Sequence, residues 1–300
     1  MRIPAFNLRP LAFGLALAGA AFAAQAQEKV VFATNWKAQA GHGGFYQALV
    51  DGTYKKYGLD VDIQQGGPMV NNRPMLPAGK VDFLMTGNLL QSFDNVKNGV
   101  PTVVVAAFFQ KDPQAMFAHP GQGFDTFKDM ADKKSIQQGY AISEPLSIKA
   151  QAGFDPVVQL LADNGFSTYA TTIETRADLI KNKPETVRKF IEASIIGWNN
   201  YLYGDNKAAN ELIAKTNPDS PIATLQGSIE LMKKMGIVDS GESLTKGIGA
   251  MDEARVKDFY DKMVKAGLYK AGEVDLSKVV TTQFVNKGVG VDVRKKLTGK

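Results

Sequence analysis

Over the first 110 residues, short apolar runs alternate with amphipathic stretches. The runs at 30–33, 61–63, 81–85 and 102–109 are rich in Val, Phe, Leu and Ala and predict strands, with helices between them. Strands taking turns with helices predict a mostly parallel sheet covered on both faces, whose ligands lie beyond the carboxyl ends of the strands. From 112 to 169 the signals shorten to strands at 115–118, 140–142 and 157–161 and helices at 124–130 and 145–152, which predicts a second, smaller α/β unit. After a strand at 167–172 the pattern turns helical. Pro184 opens a helix whose apolar positions Val187, Phe190, Ile191, Ile195, Trp198 and Tyr201 keep the 3.6-residue period. Further helices are predicted at 207–215, 221–235 and 253–266, the last with Asp252 as N-cap and Gly267 as stop.

The most informative stretch is 35–46, which joins the first strand to the first helix through Gly41, Gly43 and Gly44, with Trp36 and His42 among them. A glycine-rich strand-to-helix turn leaves the amides of the first helical turn unpaired and able to hold an anionic or polar small molecule. Gly66 and Gly67 repeat that plan before a second expected helix start near Asn71.

The first residues read as a leader. Arg2 and Arg9 give a positive start, 11–23 is an apolar run too short for a membrane span, and Ala24-Gln25-Ala26 is a small-x-small cleavage signature. The mature chain is expected to begin at Gln27. Without Arg2 and Arg9, 33 basic residues face 30 acidic ones. They are interspersed, so no nucleic-acid surface is expected, and Arg294-Lys295-Lys296 reads as a solvated tail. With no cysteine in the chain, disulfides, thiol catalysis and thiolate metal sites are ruled out.

In residues 35–47, 58–61, 66–68 and 76–83 the chain resembles the nitrate/sulfonate/taurine-type periplasmic substrate-binding proteins of ABC importers. That family shares its domain with thiamine-pyrimidine synthases and thiamine-precursor binding proteins. The resemblance implies a type II periplasmic binding fold, two α/β lobes with a central cleft. The expected division is a signal peptide at 1–26, lobe 1 at 27–107 and 172–300, and lobe 2 at 108–171, joined by crossovers at 104–111 and 168–175. It also implies ligand groups on Trp36, His42, Gly43, Gly44, Asn71, Asn72, Thr86, Gly87 and Asn88 from lobe 1, and on Glu144 and Tyr169 from lobe 2. The sequence departs from the family at Lys133-Lys134-Ser135, where roughly forty residues, the size of one βαβ-type unit, are missing. The second lobe is therefore expected to be truncated, without its main ligand loop.

Each candidate also has a plainer use. Trp36 can wall a ligand by stacking or join the core. His42 can hydrogen-bond a ligand, change charge near neutral pH, or make a structural bond at the helix start. Asn71, Asn72 and Thr86 suit helix caps as well as contacts, and Glu144 suits a cationic ligand or simply a helix N-terminus. Tyr169, Phe45, Tyr46 and Phe109 suit core packing, and His119 a turn. There is no G-x-S-x-G, phosphate loop or H-E-x-x-H, so no catalytic or metal residues are expected.

The expected function is a monomeric periplasmic receptor without a cofactor. It would capture a small anion (sulfonate, taurine or nitrate) or a heteroaromatic compound and present it to an inner-membrane permease and its ATPase. The alternatives are a thiamine-pyrimidine synthase-like enzyme in which His42 reacts, and a degenerate, non-binding relative.

Overall fold

The computed structural model describes residues 26–128 and 136–299. Residues 1–25 of the expected leader, the end of the helix expected at 124–130 and the junction at Lys133-Lys134-Ser135 lie outside the described residues.

The strands fall into two sheets. The first has five, β1 (Glu28–Ala33), β2 (Leu59–Gln64), β3 (Phe83–Asn88), β4 (Thr102–Phe109) and β8 (Ala170–Arg176), in the order β2-β1-β3-β8-β4. β1 pairs in parallel with β2 and β3, whereas β8 runs antiparallel between β3 and β4. The expected parallel sheet is thus interrupted by one strand, which returns from the second sheet. The second sheet is antiparallel, in the order β6-β5-β7, from β5 (Gln114–Ala118), β6 (Gln137–Tyr140) and β7 (Val157–Leu160). The chain crosses between the sheets at 110–113 and again at 161–169.

Burial follows these positions. β4 is buried almost throughout because both faces of the first sheet are covered. β2 alternates, with Leu59 and Val61 buried and Asp60 and Asp62 exposed, so charge guards that sheet edge.

On one face, α1 (Gly43–Val50) packs against the long helix α6 (Pro184–Tyr203). Between them lies an aromatic core of Phe32, Phe45, Phe83, Phe108, Phe190 and Trp198, with Phe83 stacked on Phe190 at 4.1 Å and Phe45 edge-on to Trp198 at 5.8 Å. The short α2 (Thr53–Lys56), α3 (Leu89–Lys97) and α5 (Ala177–Asn182) complete the connections around this sheet. In the second lobe α4 (Glu144–Ala152) runs between β6 and β7 and contacts α8 (Ile222–Met235) of the first lobe, with Leu146 seated on Gly227. The chain closes with α7 (Lys207–Thr216), α9 (Ser243–Lys246), α10 (Glu253–Lys265) and α11 (Val291–Thr298). Asp252 caps α10 as expected, accepting the Ala254 amide at 2.8 Å.

Five features differ from expectation. The crossovers expected at 104–111 and 168–175 fall at 110–113 and 161–169, because 102–109 and 170–176 are strands of the first sheet. The strand expected at 140–142 lies earlier, at Gln137–Tyr140, where it pairs with β5. The third strand runs on to Asn88, because Thr86 and Asn88 pair with Thr172 and Ala170 of β8. The strand expected at 167–172 begins only at Ala170 for the same reason, and its predecessors serve the crossover. Near Asn71 there is no α-helix, only a three-residue 3₁₀ turn, Arg73–Met75. Pro74 and Pro77 deny amide donors to any longer helix.

Candidate functional site

Between the two sheets, at the carboxyl end of β1, lies a cavity of about 400 Å³. One wall is Asn35, Trp36 and Gln39, from the turn after β1. The facing wall is Gln114 of β5, Gln138 and Tyr140 of β6, and Ser143 and Glu144 at the start of α4. A second space of about 320 Å³ shares Trp36, Gln39, Ser143 and Glu144 and continues past Lys37 towards Asn217 and the start of α8. The shared lining makes one cleft of the two. A cavity of about 10 Å³, room for a single water, opens under its floor beside Asn35, His42, Gly87, Tyr140 and Thr171. Thr171 holds a positive φ of 46° there, a conformation a β-branched residue adopts only when its surroundings impose it.

A larger cavity, about 1150 Å³, sits at the opposite ends of the strands, beside Thr102 and residues 272–282. None of the expected site residues lines it. Of its charged lining groups, Glu273 pairs with Lys97, Lys278 with Asp275 and Lys257 with Asp261. The inter-sheet cleft is the better candidate because convergent polar side chains meet there beyond strand ends.

The expected residues divide. Trp36 stands at the rim, 45% exposed, and Glu144 lines both parts of the cleft. Gly87 lies under the floor. His42 lines the water-sized space but is buried, and its Nδ1 has no hydrogen-bond partner among the described residues. Burial pushes its pKa down to about 3, so it is neutral at physiological pH.

The others are held elsewhere. The Gly43 amide is spent on the Ala40 carbonyl. A Cβ at Gly43 would fall 2.0 Å from the Tyr201 ring, and one at Gly44 2.2 Å from Trp198. These glycines let α1 approach α6, and the anion-holding corner read from them is not what they build. Asn71 is exposed and closes a turn by accepting the Arg73 amide. Asn72 is buried and donates to the Thr34 carbonyl at 2.9 Å, fastening the 65–72 loop to the end of β1. Thr86 is buried against the Thr172 hydroxyl inside the sheet. Asn88 caps α3, accepting the Leu90 amide, and donates to Asp112 at 3.0 Å. Tyr169 is buried outside the cleft beneath the Arg255 guanidinium, 4.0 Å from its ring centre, and its hydroxyl accepts the Asp252 amide. Phe45, Tyr46 and Phe109 are buried in the core.

Sequence reasoning missed Asn35, Gln39, Gln114, Gln138, Tyr140 and Ser143. Asn35 and Gln39 flank Trp36 in its turn, which was the available signal. The lobe 2 residues carry none. The 400 Å³ cavity is neutral to acidic, holding Glu144 and Tyr140 but no lysine or arginine. Lys37, in the adjoining space, pairs with Asp219 at 2.8 Å. Burial, then the charges of Asp112 and Glu144, raise the Tyr140 phenol well above its usual range.

Two facing α/β lobes around such a cleft make the periplasmic binding protein fold. Residues 39–146 match the NMT1/THI5-like family model, in keeping with the resemblance read from the sequence. The riboflavin-binding protein RibY of Chloroflexus aurantiacus is 31% identical over 163 residues, 53% of this chain and 44% of that protein, so the match spans less than half of the relative's length. Among solved structures, the ligand-binding component of an ABC-type import system from Staphylococcus aureus aligns with a TM-score of 0.62 at 9% identity, over 88% of this chain and 100% of that one. The periplasmic aliphatic sulphonate-binding protein SsuA of Escherichia coli aligns with a TM-score of 0.54 at 14% identity, over 85% and 92%. Among the described residues no helix is long and apolar enough to cross a membrane.

Proposed function

We propose that this chain is the periplasmic solute-binding component of an ABC importer, and that its ligand is a neutral heteroaromatic compound rather than a small anion. The observation that carries this is the cleft lining: Trp36 and Tyr140 with four amide side chains and one carboxylate, and no cation in the main cavity. A sulfonate or nitrate needs positive charge or free helix amides in a dehydrated site. Here the Gly43 amide is spent on the Ala40 carbonyl and Glu144 adds negative charge. A planar ring with amide or imide edges suits two aromatic faces and side-chain amides. The 31% identity to a riboflavin-binding protein points the same way.

In this reading the leader is cleaved after Ala26, lobe 1 holds the first sheet and the C-terminal helices, and lobe 2 is the shortened segment between the crossovers, built on β5, β6 and β7. The mature protein is a monomer that hands its ligand to an inner-membrane permease and ATPase. Binding rather than catalysis is favoured by the burial of His42 under the cleft floor, where its neutral ring has no reacting partner. Ligand contacts fall to Trp36, Gly87 and Glu144, joined by Asn35, Gln39, Gln114, Gln138 and Tyr140.

The test is a fluorescence titration and thermal shift with riboflavin, run against taurine and nitrate. Riboflavin is expected to bind and raise Tm while the anions do not, since a ligand at one hundred times its Kd stabilises by about 2.7 kcal/mol. Stabilisation by the anions alone sinks the proposal. Trp36→Ala is expected to weaken riboflavin roughly tenfold, the loss of one stacked face of about 1.4 kcal/mol. It should change unfolding stability by less than about 0.5 kcal/mol, because the indole is exposed.

A further inference from the structure

A row of hydrogen bonds runs from the crossover into the cleft. Asp112, between β4 and β5, is fully buried. One carboxylate oxygen accepts the Gln114 backbone amide at 2.9 Å. The other accepts Asn88 Nδ2 at 3.0 Å and Gln114 Nε2 at 3.4 Å. Gln114 Oε1 in turn accepts Gln138 Nε2 at 2.7 Å. Gln114 and Gln138 both line the 400 Å³ cavity.

We propose that Asp112 is a positioning residue of the cleft, fixing through Gln114 which ends of the Gln114 and Gln138 amides face the ligand. The proposal rests on the cleft being the ligand site. An ionised carboxylate only accepts hydrogen bonds, so it draws the NH₂ end of Gln114 towards itself and turns Oε1 to Gln138. That commits one N–H of Gln138. One N–H of Gln114, and the Oε1 and second N–H of Gln138, are left for a ligand. This donor, acceptor and donor set complements the carbonyl, N–H and carbonyl edge of an imide ring. An amide side chain alone has no such preference between its two ends.

The carboxylate must be ionised to do this, and burial pushes its pKa up to about 6. The titratable and charged groups nearby are Tyr140 on β6, Glu144 beyond it, and Lys111 on the crossover, which is held by Asp163. Protonation places an O–H where Asp112 now meets only N–H groups. The Gln114 amide is then released, and with it the orientation of Gln138. His42, the other buried titratable group on the floor, stays neutral over this range.

Side-chain ¹⁵N–¹H resonances of Gln114 and Gln138 in the ligand-free wild-type protein test the relay without any ligand. Both pairs are expected to move together through one titration centred near pH 6, and Asp112→Asn is expected to abolish it. Resonances of Gln138 that ignore this titration overturn the proposal. With riboflavin as probe, wild-type affinity is expected to fall by up to tenfold per pH unit below pH 6. Asp112→Asn is expected to bind more weakly with a flat profile, and Asp112→Glu to restore the pH dependence. Wild-type affinity and pH profile retained in Asp112→Asn likewise overturn it. Absence of riboflavin binding in the wild type counts against the ligand proposed above, while the resonances still decide whether Asp112 orients the two glutamines.

Discussion

Gly197→Ala is expected to destabilise the protein by about 3 kcal/mol, seen as a Tm lower by roughly 6 °C and an earlier midpoint in urea. In an exposed helix interior the same change would gain about 1 kcal/mol, because alanine is the better helix former. The sign reverses here because of what the new methyl meets. A Cβ at 197 lies 2.3 Å from the Gly44 carbonyl oxygen, 2.6 Å from Ala48 Cβ and 2.9 Å from the Ala48 nitrogen. Two of these atoms are backbone and cannot swing aside, so α1 and α6 must part. Parting them loosens Phe45 and Trp198, which the same contact presses together. Gly44→Ala, aimed at the Trp198 ring from the other helix, is expected to have an effect of the same order. The pair should be less than additive, because once the helices have separated the second methyl finds room. A Gly197→Ala protein as stable as wild type would show that the close approach of the two helices is not needed for the fold.

The same contact shows where the sequence was legible and where it was not. The helices of the C-terminal half announced themselves by period and cap, and Asp252 does accept the Ala254 amide. Gly43 and Gly44 were equally visible, but glycine beside a helix start has two uses: exposing amides, or admitting another helix. The residue that decides between them, Gly197, is remote in sequence. Thr86 and Asn88 looked like residues beyond a strand because they are polar. They are inside it because β8, arriving from the far side of the second lobe, pairs with them. Tyr169 looked available to a ligand until Arg255 and Asp252, also distant in the chain, took its ring and its hydroxyl.

Within the candidate site, Trp36 was readable because the turn that carries it is local. Gln114, Gln138 and Tyr140 were not, since nothing in a short antiparallel strand marks which polar side chain will face another lobe. That is set by the two crossovers, the first of which carries Asp112. The local half of the cleft was therefore legible, and the half made by tertiary placement was not.

His42 is expected to make the protein sensitive to mild acid, and a difference measurement should reveal it. Its folded pKa is pushed down to about 3 by burial, against 6.5 when exposed. Below about pH 6.5 the unfolded chain takes up a proton that the folded chain refuses, so stability present at neutral pH is lost as pH falls towards 3. From pH 7.5 to 5 the loss is about 2 kcal/mol, at about 1.36 kcal/mol per pH unit once below 6.5. Asp112 works in the opposite direction. Its folded pKa, about 6, lies above the reference value of 3.8, so between those values the folded state binds the proton and gains stability as pH falls. The total curve consequently flattens between pH 6 and 4 and hides both groups. Comparison with His42→Gln separates them, because that variant keeps Asp112 and lacks the imidazole. Whatever the substitution costs at pH 7.5, the stability difference between the two proteins should shift by about 2 kcal/mol in favour of the variant at pH 5. Urea midpoints at the two pH values measure this, and the imidazole ¹⁵N shifts of folded wild type should stay those of a neutral ring throughout. A difference that does not change with pH, or a ring that protonates near 6, would mean that His42 reaches water through the cleft floor rather than lying sealed beneath it.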